Sequence, residues 1–320
     1  MDVLLTGGAG FLGRWVCARL LADGHRVLVV DNLSNGRLSN LDEFRGEPRL
    51  RVEIADVRDQ AAMARVFAGA SQTGNRFDLC LHLAAQINVQ SSIDEPGETF
   101  DNDAIATFHL LEQCRVSGIR FVLMSTCMVY DHAVDGQAIA ETHPTKPASP
   151  YAAAKLAAEA LTLSYFHAYR LPTAVLRPFN TYGPYQKTNG EGGVVAIFVR
   201  RRLDGLPLQV YGDGSQTRDL LYVEDCADFV LRAATCDRCW GQILNAGTGR
   251  DVTINQLARE IAEDEVPVEH VPHIHPQSEI MKLVCDPARA QSLLGWRAET
   301  SLADGIARTR DWIAAQPRED

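Results

Sequence analysis

The chain opens on a short branched apolar run, Asp2 to Thr6, breaks at glycines, and resumes with Leu12, Val16, Leu20 and Leu21 on one side of a helix beginning at Phe11. Further compact apolar runs follow at Val27–Val30, Leu50–Ile54, Leu79–Ala85, Phe121–Ser125 and Thr173–Arg177. They do not alternate with polar residues, so they predict strands buried on both faces. Between them lie helical patterns from near Gln60, over Pro96–Val116 and over Tyr151–Tyr169, whereas Asp131–Pro150, with three prolines, reads as a loop. Beyond Arg177 the pattern loosens into a glycine-rich stretch at 183–193, a helix near Val194–Asp204 and shorter elements, with Gln242–Ala246 expected to return to the main sheet. There is no internal repeat or low-complexity segment.

Strands alternating with helices predict an α/β fold, a Rossmann-type doubly wound parallel sheet with a smaller C-terminal α/β region. Residues 1–178 are expected to form a dinucleotide-binding domain, with 219–248 returning to it, and 179–320 mainly a substrate-binding region. The first break, GGAGFLG at 7–13, carries the chemistry of such a sheet. Gly7 permits a tight turn, Gly10 removes a side chain that would hold a pyrophosphate off the backbone, and Gly13 lets the helix lie close to the strand. Phosphate oxygens would face the N–H groups at the start of that helix, beside Phe11 and Leu12. The second strand ends at Asp31, where a carboxylate can accept both ribose hydroxyls of NAD and repel the 2′-phosphate of NADP. Arg37 is close enough in sequence to meet such a phosphate. Asn32 belongs to the same cofactor site. Asp56, with Val57 beside it, either meets the adenine amino group or caps the helix that begins near Gln60. Leu83, Ala84 and Ala85 leave space for a flat cofactor.

A formal charge of −10 and a pI near 5.4 argue against a nucleic-acid or anionic-membrane partner. No apolar run approaches the roughly 20 residues that span a bilayer, and a core strand at the N-terminus leaves no room for a signal peptide, so a cytoplasmic protein is expected. The cysteines at 17, 80, 114, 127, 226, 236, 239 and 285 read mostly as reduced packing residues. Cys236 and Cys239 form a CxxC without a second pair at zinc-finger spacing, so no metal is expected.

Tyr151 and Lys155 lie four apart on one helical face. An ammonium near a phenol stabilises the phenolate, and a lowered tyrosine pKa is what a general base for an alcohol requires. The pair follows a fifth strand ending in Ser125 and Thr126.

With these residues in view, the chain resembles the extended short-chain dehydrogenase/reductase family, in particular its nucleotide-sugar epimerases, dehydratases and decarboxylases. The resemblance runs through GGAGFLG, DNLSNG from Asp31, HLAAQ from His82, STCMVY from Ser125, YAAAK from Tyr151, RPFNTYGP from Arg177, GDGSQTRDLLYVED from Gly212 and LGW from Leu294. It implies NAD as cofactor and Thr126, Tyr151 and Lys155 as the catalytic group. Tyr151 would take a proton from a sugar hydroxyl, Lys155 would bind the nicotinamide ribose, and Thr126 would hydrogen-bond the same oxygen. Asn180 and Arg218 match positions that contact a nucleotide diphosphate, although a loop salt bridge of Arg218 with Asp213 or Asp219 is the alternative. Gln86, Cys127, Met128, His275 and Glu279 complete the implied substrate contacts.

In the dehydratases the threonine is followed by Asp and Glu, and the decarboxylases carry a glutamate at the second position. Here Cys127 and Met128 supply no carboxylate. The implied reaction is therefore 4-epimerisation of a nucleotide-diphosphosugar through a transient 4-keto sugar, with UDP as the nucleotide. HLAAQ and the helix after it most resemble the branch acting on UDP-hexuronic acids, where Lys187 or the strand end Thr126–Met128 would meet a C6 carboxylate. The alternatives are a dehydratase protonating through Cys127 and a non-catalytic NAD-binding module. Asp103 stands where relatives have asparagine, HPQSE at 275–279 replaces an arginine-proline-glycine turn, and YQK follows Pro184 instead of arginine-glutamine-arginine. Relatives form homodimers through a four-helix bundle, for which Phe108, Leu111, Ala157, Leu161 and Tyr165 are the candidate positions.

Overall fold

A computed structural model describes residues 1–72, 76–133, 137–189, 193–273 and 280–317. Its main sheet contains β1 (Asp2–Thr6), β2 (Arg26–Asp31), β3 (Leu50–Ile54), β4 (Leu79–His82), β5 (Arg120–Met124), β6 (Thr173–Pro178) and the late strand Ile243–Ala246, in the order Ile243–Ala246, β6, β5, β4, β1, β2, β3. Every neighbouring pair is parallel. The order reverses between β1 and β4, which opens a crevice at their carboxyl ends.

The apolar runs become strands because helices cover both faces. On one face Val16 and Leu20 of the helix Phe11–Ala22 pack with Phe229 and Val230 of the helix Val223–Thr235 and with Trp296. On the other, Met63 and Phe67 of the helix Gln60–Gln72 join Leu110, Leu111, Ala158 and Tyr165. A third core, with Phe198, Leu257, Ile261 and Ile313, holds together the later helices Val194–Leu203, Ile254–Ala262 and Leu302–Ala315.

Two predicted elements differ. The fourth strand stops at His82: the Leu83 N–H makes the last ladder bond, to the Thr6 carbonyl (3.2 Å), and the Ala84 N–H turns to the Thr6 hydroxyl (3.2 Å). The predicted helix 96–116 is interrupted: Pro96–Phe100 leads into a π-helical turn, Asp101–Ile105, and then Ala106–Ser117. A π turn adds a residue to one turn of the spiral and displaces the face that follows it. Ile243–Ala246 does join the main sheet, beside β6. Just upstream, Leu220–Tyr222 pairs with Asn180–Tyr182 in a separate two-stranded sheet.

Candidate functional site

The glycine turn closes on itself. Gly7 sits at φ +71°, and a Cβ there would lie 2.7 Å from the Ala84 nitrogen; a Cβ on Gly13 would lie 2.0 Å from the Gly7 carbonyl oxygen. The helix that follows starts at Gly10 without a side-chain cap, leaving its first-turn N–H groups for an anion. Phe11 and Leu12 are half-buried at that start. Asp31, 7 % exposed, accepts hydrogen bonds from the Ala9 N–H (3.0 Å) and the Leu33 N–H (2.8 Å). A carboxylate offers about four lone-pair directions, so acceptor capacity remains for two ribose hydroxyls. Glycine cradle, uncapped helix start and acid together fit a dinucleotide.

Asn32 donates to Asp56 (2.9 Å), and the ion pair with Arg58 holds the Asp56 carboxyl down at about 2. Asp56 is not the helix cap: Asp59 accepts the Ala62 N–H at 2.9 Å, three residues nearer the helix. Val57 is buried in the core, so only its backbone can meet a ligand. Leu83, Ala84 and Ala85 lie just past β4, opposite Gly7.

Thr126, Tyr151 and Lys155 come together at the end of β5 and the start of the helix Pro150–Tyr169. They are 8 %, 8 % and 2 % exposed, and the Thr126 hydroxyl accepts the Met128 N–H at 3.2 Å. The lowered tyrosine pKa expected from the sequence is absent in the protein chain alone. Burial, and then the Asp103 carboxylate, push the phenol above its usual value, and the Thr126 bond only partly opposes them. Burial also pulls Lys155 down, against the attraction of Asp103 and Glu159.

Cys127 sits in an apolar cluster as a weak acid. Burial raises its thiol to about 12, against the neighbouring Arg218, and it packs with Val129, Tyr130, Phe179, Ile280 and Cys285. Met128 packs against the same cluster. Gln86 hangs from Asp103 through its N–H (2.7 Å) and accepts the Asn88 N–H at 3.0 Å. Arg218 donates to the Thr217 (2.7 Å) and Ile280 (2.9 Å) carbonyls. Asp219 accepts from Thr248, Gly249 and Cys285, and Asp213 from Ser215, so both acids are engaged elsewhere. Asn180 carries a buried Oδ1 without a hydrogen-bond partner among the described residues, as a ligand-binding amide would. The Lys187 ammonium donates to Asn35, in the loop after β2. His275 and Glu279 lie outside the described residues. No group of three or more potential metal ligands occurs among the described residues.

Sequence reasoning passed over a buried support. Glu159, one turn beyond Lys155, accepts from the Ser125 hydroxyl and pairs with Arg177 (Nε to Oε1, 2.8 Å); both partners are 2 % exposed. The signal was available as a third polar residue on the Tyr151–Lys155 face. A second support runs from Thr6 to His82 (2.7 Å), on to Thr107 (3.1 Å), and to the Asp103 carbonyl (2.6 Å). Since the Thr107 hydroxyl gives its proton to the Asp103 carbonyl, it accepts from His82 Nε2–H, and Nδ1 of the neutral ring accepts the Thr6 hydroxyl proton.

Residues 3–247 match the NAD dependent epimerase/dehydratase family. The chain is 37 % identical over 317 residues to the UDP-glucose 4-epimerase of Mycolicibacterium smegmatis, covering 98 % of each chain. Among solved structures it resembles Pal from Bacillus thuringiensis, at 54 % identity and a TM-score of 0.95 over 98 % of this chain and 99 % of that one. It also resembles the UDP-glucose complex of the Thermotoga maritima UDP-glucose 4-epimerase, at 34 % identity and a TM-score of 0.90, again covering 98 % and 99 %.

Proposed function

The chain belongs to the NAD dependent epimerase/dehydratase family, and on that premise we propose that it inverts C4 of a nucleotide-diphosphosugar, with UDP as the nucleotide. One observation carries the choice of reaction: the two positions after Thr126 hold a thiol buried in an apolar cluster and a thioether packed against it, and neither is a carboxylate. Elimination or decarboxylation would call on an acid or base there. Bound NAD supplies reversible hydride chemistry. Tyr151 takes and returns the proton of the C4 hydroxyl, Thr126 orients that oxygen, and Lys155 binds the nicotinamide ribose and lowers the cost of the phenolate. Gly7, Gly10, Phe11 and Leu12 face the pyrophosphate, Asp31 and Asn32 the adenosine ribose, and Asp56 and Val57 the adenine. Leu83, Ala84 and Ala85 border the nicotinamide side. Asn180 and Arg218 hold the substrate diphosphate, and Gln86, Cys127 and Met128 border its sugar.

Within this reaction we assign the UDP-hexuronic acids as the substrate branch, on the HLAAQ stretch and its helix. A C6 carboxylate would meet Lys187 or the strand end Thr126–Met128. The protein acts as a homodimer, a reading supported by Phe100, Ile105 and Phe108, which are 47 %, 38 % and 37 % exposed on consecutive helical turns. Leu111 and Tyr165 are core residues and take no part. Eight free thiols, seven of them buried, suit the reducing cytoplasm.

Purified protein is incubated in turn with UDP-glucuronate, UDP-glucose and UDP-GlcNAc, and the products are analysed by mass and NMR. An isobaric C4 epimer is expected, from UDP-glucuronate first. A product lighter by one water, or release of carbon dioxide, would overturn the assignment.

A further inference from the structure

We infer that Asp103 is a positioning residue for the Tyr151–Lys155 pair: its buried carboxylate keeps Lys155 an ammonium and opposes ionisation of Tyr151, so the pair works at a higher pH than it would beside an uncharged amide. The inference rests on the reading of Tyr151 as the base. Asp103 lies in the π-helical turn, which packs against the helix bearing both partners, and it is 0 % exposed. Its Oδ1 accepts the Gln86 N–H (2.7 Å) and the Asn102 amide (3.0 Å). An asparagine carbonyl would make both bonds, so anchoring this turn does not require an acid. The difference lies in Oδ2, which is buried and has no hydrogen-bond partner among the described residues.

A carboxylate oxygen left this way costs a few kcal/mol unless a charge compensates it. The surroundings leave one candidate. From the helix Pro150–Tyr169, Glu159 is neutralised by Arg177, and Tyr151 is a phenol; from β4, His82 is neutral, held at about 3 by burial and by Lys155; and Cys127, at the end of β5, is a protonated thiol. Burial pushes the Asp103 carboxyl above its usual value and the Lys155 ammonium below its own, and the attraction between the two opposes both shifts, so Lys155 remains as the counter-charge. A fixed negative charge makes a neighbouring phenol harder to ionise and a neighbouring ammonium harder to deprotonate. Both limbs of a pH–rate profile therefore move to higher pH together.

The test compares wild type with Asp103→Asn in two readouts. One is the pH profile of kcat/KM with whichever UDP-sugar is turned over. The other needs no turnover: the Tyr151 phenol is titrated at the phenolate absorbance band, with Tyr151→Phe and Asp103→Asn/Tyr151→Phe as the respective blanks. In Asp103→Asn both limbs and the phenol step are expected to move about one pH unit toward acid. Superimposed curves, or an alkaline shift, would overturn the inference. Asp103→Ser repeats the comparison with a smaller uncharged side chain should the amide variant misfold. Turnover that survives Tyr151→Phe would sink the reading of Tyr151 as the base, while the absorbance titration would still decide the charge effect of Asp103.

Discussion

Gly13 has no room for a methyl group: its Cβ would sit 2.0 Å from a carbonyl oxygen of the turn that Gly7 makes. Both groups are backbone, so relief requires the helix to move away from the strand. Gly13→Ala is expected to weaken NAD binding at least tenfold and to lower stability by about 2 kcal/mol, read by calorimetric titration and by urea unfolding. Unchanged NAD affinity would show that the cradle is not where the pyrophosphate sits. His82 offers a different handle. Burial holds its folded-state pKa at about 3, below the 6.5 of an exposed histidine. Between those values the unfolded chain binds the extra proton, so stability is full above 6.5 and is lost as pH falls through the window. The loss by pH 3 is on the order of 3–5 kcal/mol. Urea midpoints at pH 7 and pH 4 should fall further apart in wild type than in His82→Gln.

At the scale of elements, Glu159 ties the helix Pro150–Tyr169 to β5 through Ser125 and to β6 through Arg177, and so sets where Tyr151 and Lys155 stand. Removing one partner strands a buried charge. Arg177→Met is expected to cost about 3–5 kcal/mol, and the paired Glu159→Leu/Arg177→Met variant less than that, measured by denaturant unfolding. A double variant as unstable as the single one would argue against an uncompensated charge as the cause. The same helix shows what is legible in the chain. The i, i+4 spacing of Tyr151 and Lys155 is enough to put them on one face, and the glycines announce their turn, because both are properties of a few consecutive residues. Long-range partners leave no such trace. Nothing near Lys187 in sequence announces Asn35, and the Asp31 carboxylate proves to clamp the Ala9 N–H as well as face the ribose. The expected fall in the Tyr151 pKa fails for a related reason: spacing gives the ammonium but not the burial, nor the carboxylate brought in by the π turn.

Across the whole molecule, the switch point between β1 and β4 gathers the cofactor candidates at one end of the sheet, and the strand Asn180–Tyr182 pairs with Leu220–Tyr222 outside it. The exposed apolar row Phe100, Ile105 and Phe108 on the helices 96–117 is the proposed dimer face. Phe108→Glu together with Phe100→Glu should convert a dimer to a monomer in sedimentation velocity, with the pH dependence of stability left as in wild type. A wild-type protein that sediments as a monomer at micromolar concentration would refute the dimer.

In the proposed reaction one carbinol loses hydride and regains it on the opposite face within a single turnover. Substrate deuterated at C4, with the product followed by NMR and mass spectrometry, tests this step. A C4 epimer that keeps the deuterium is expected, with no net change in cofactor absorbance and no product from Tyr151→Phe. Loss of the label to solvent, or its transfer to C6 of a dehydrated sugar, would contradict it.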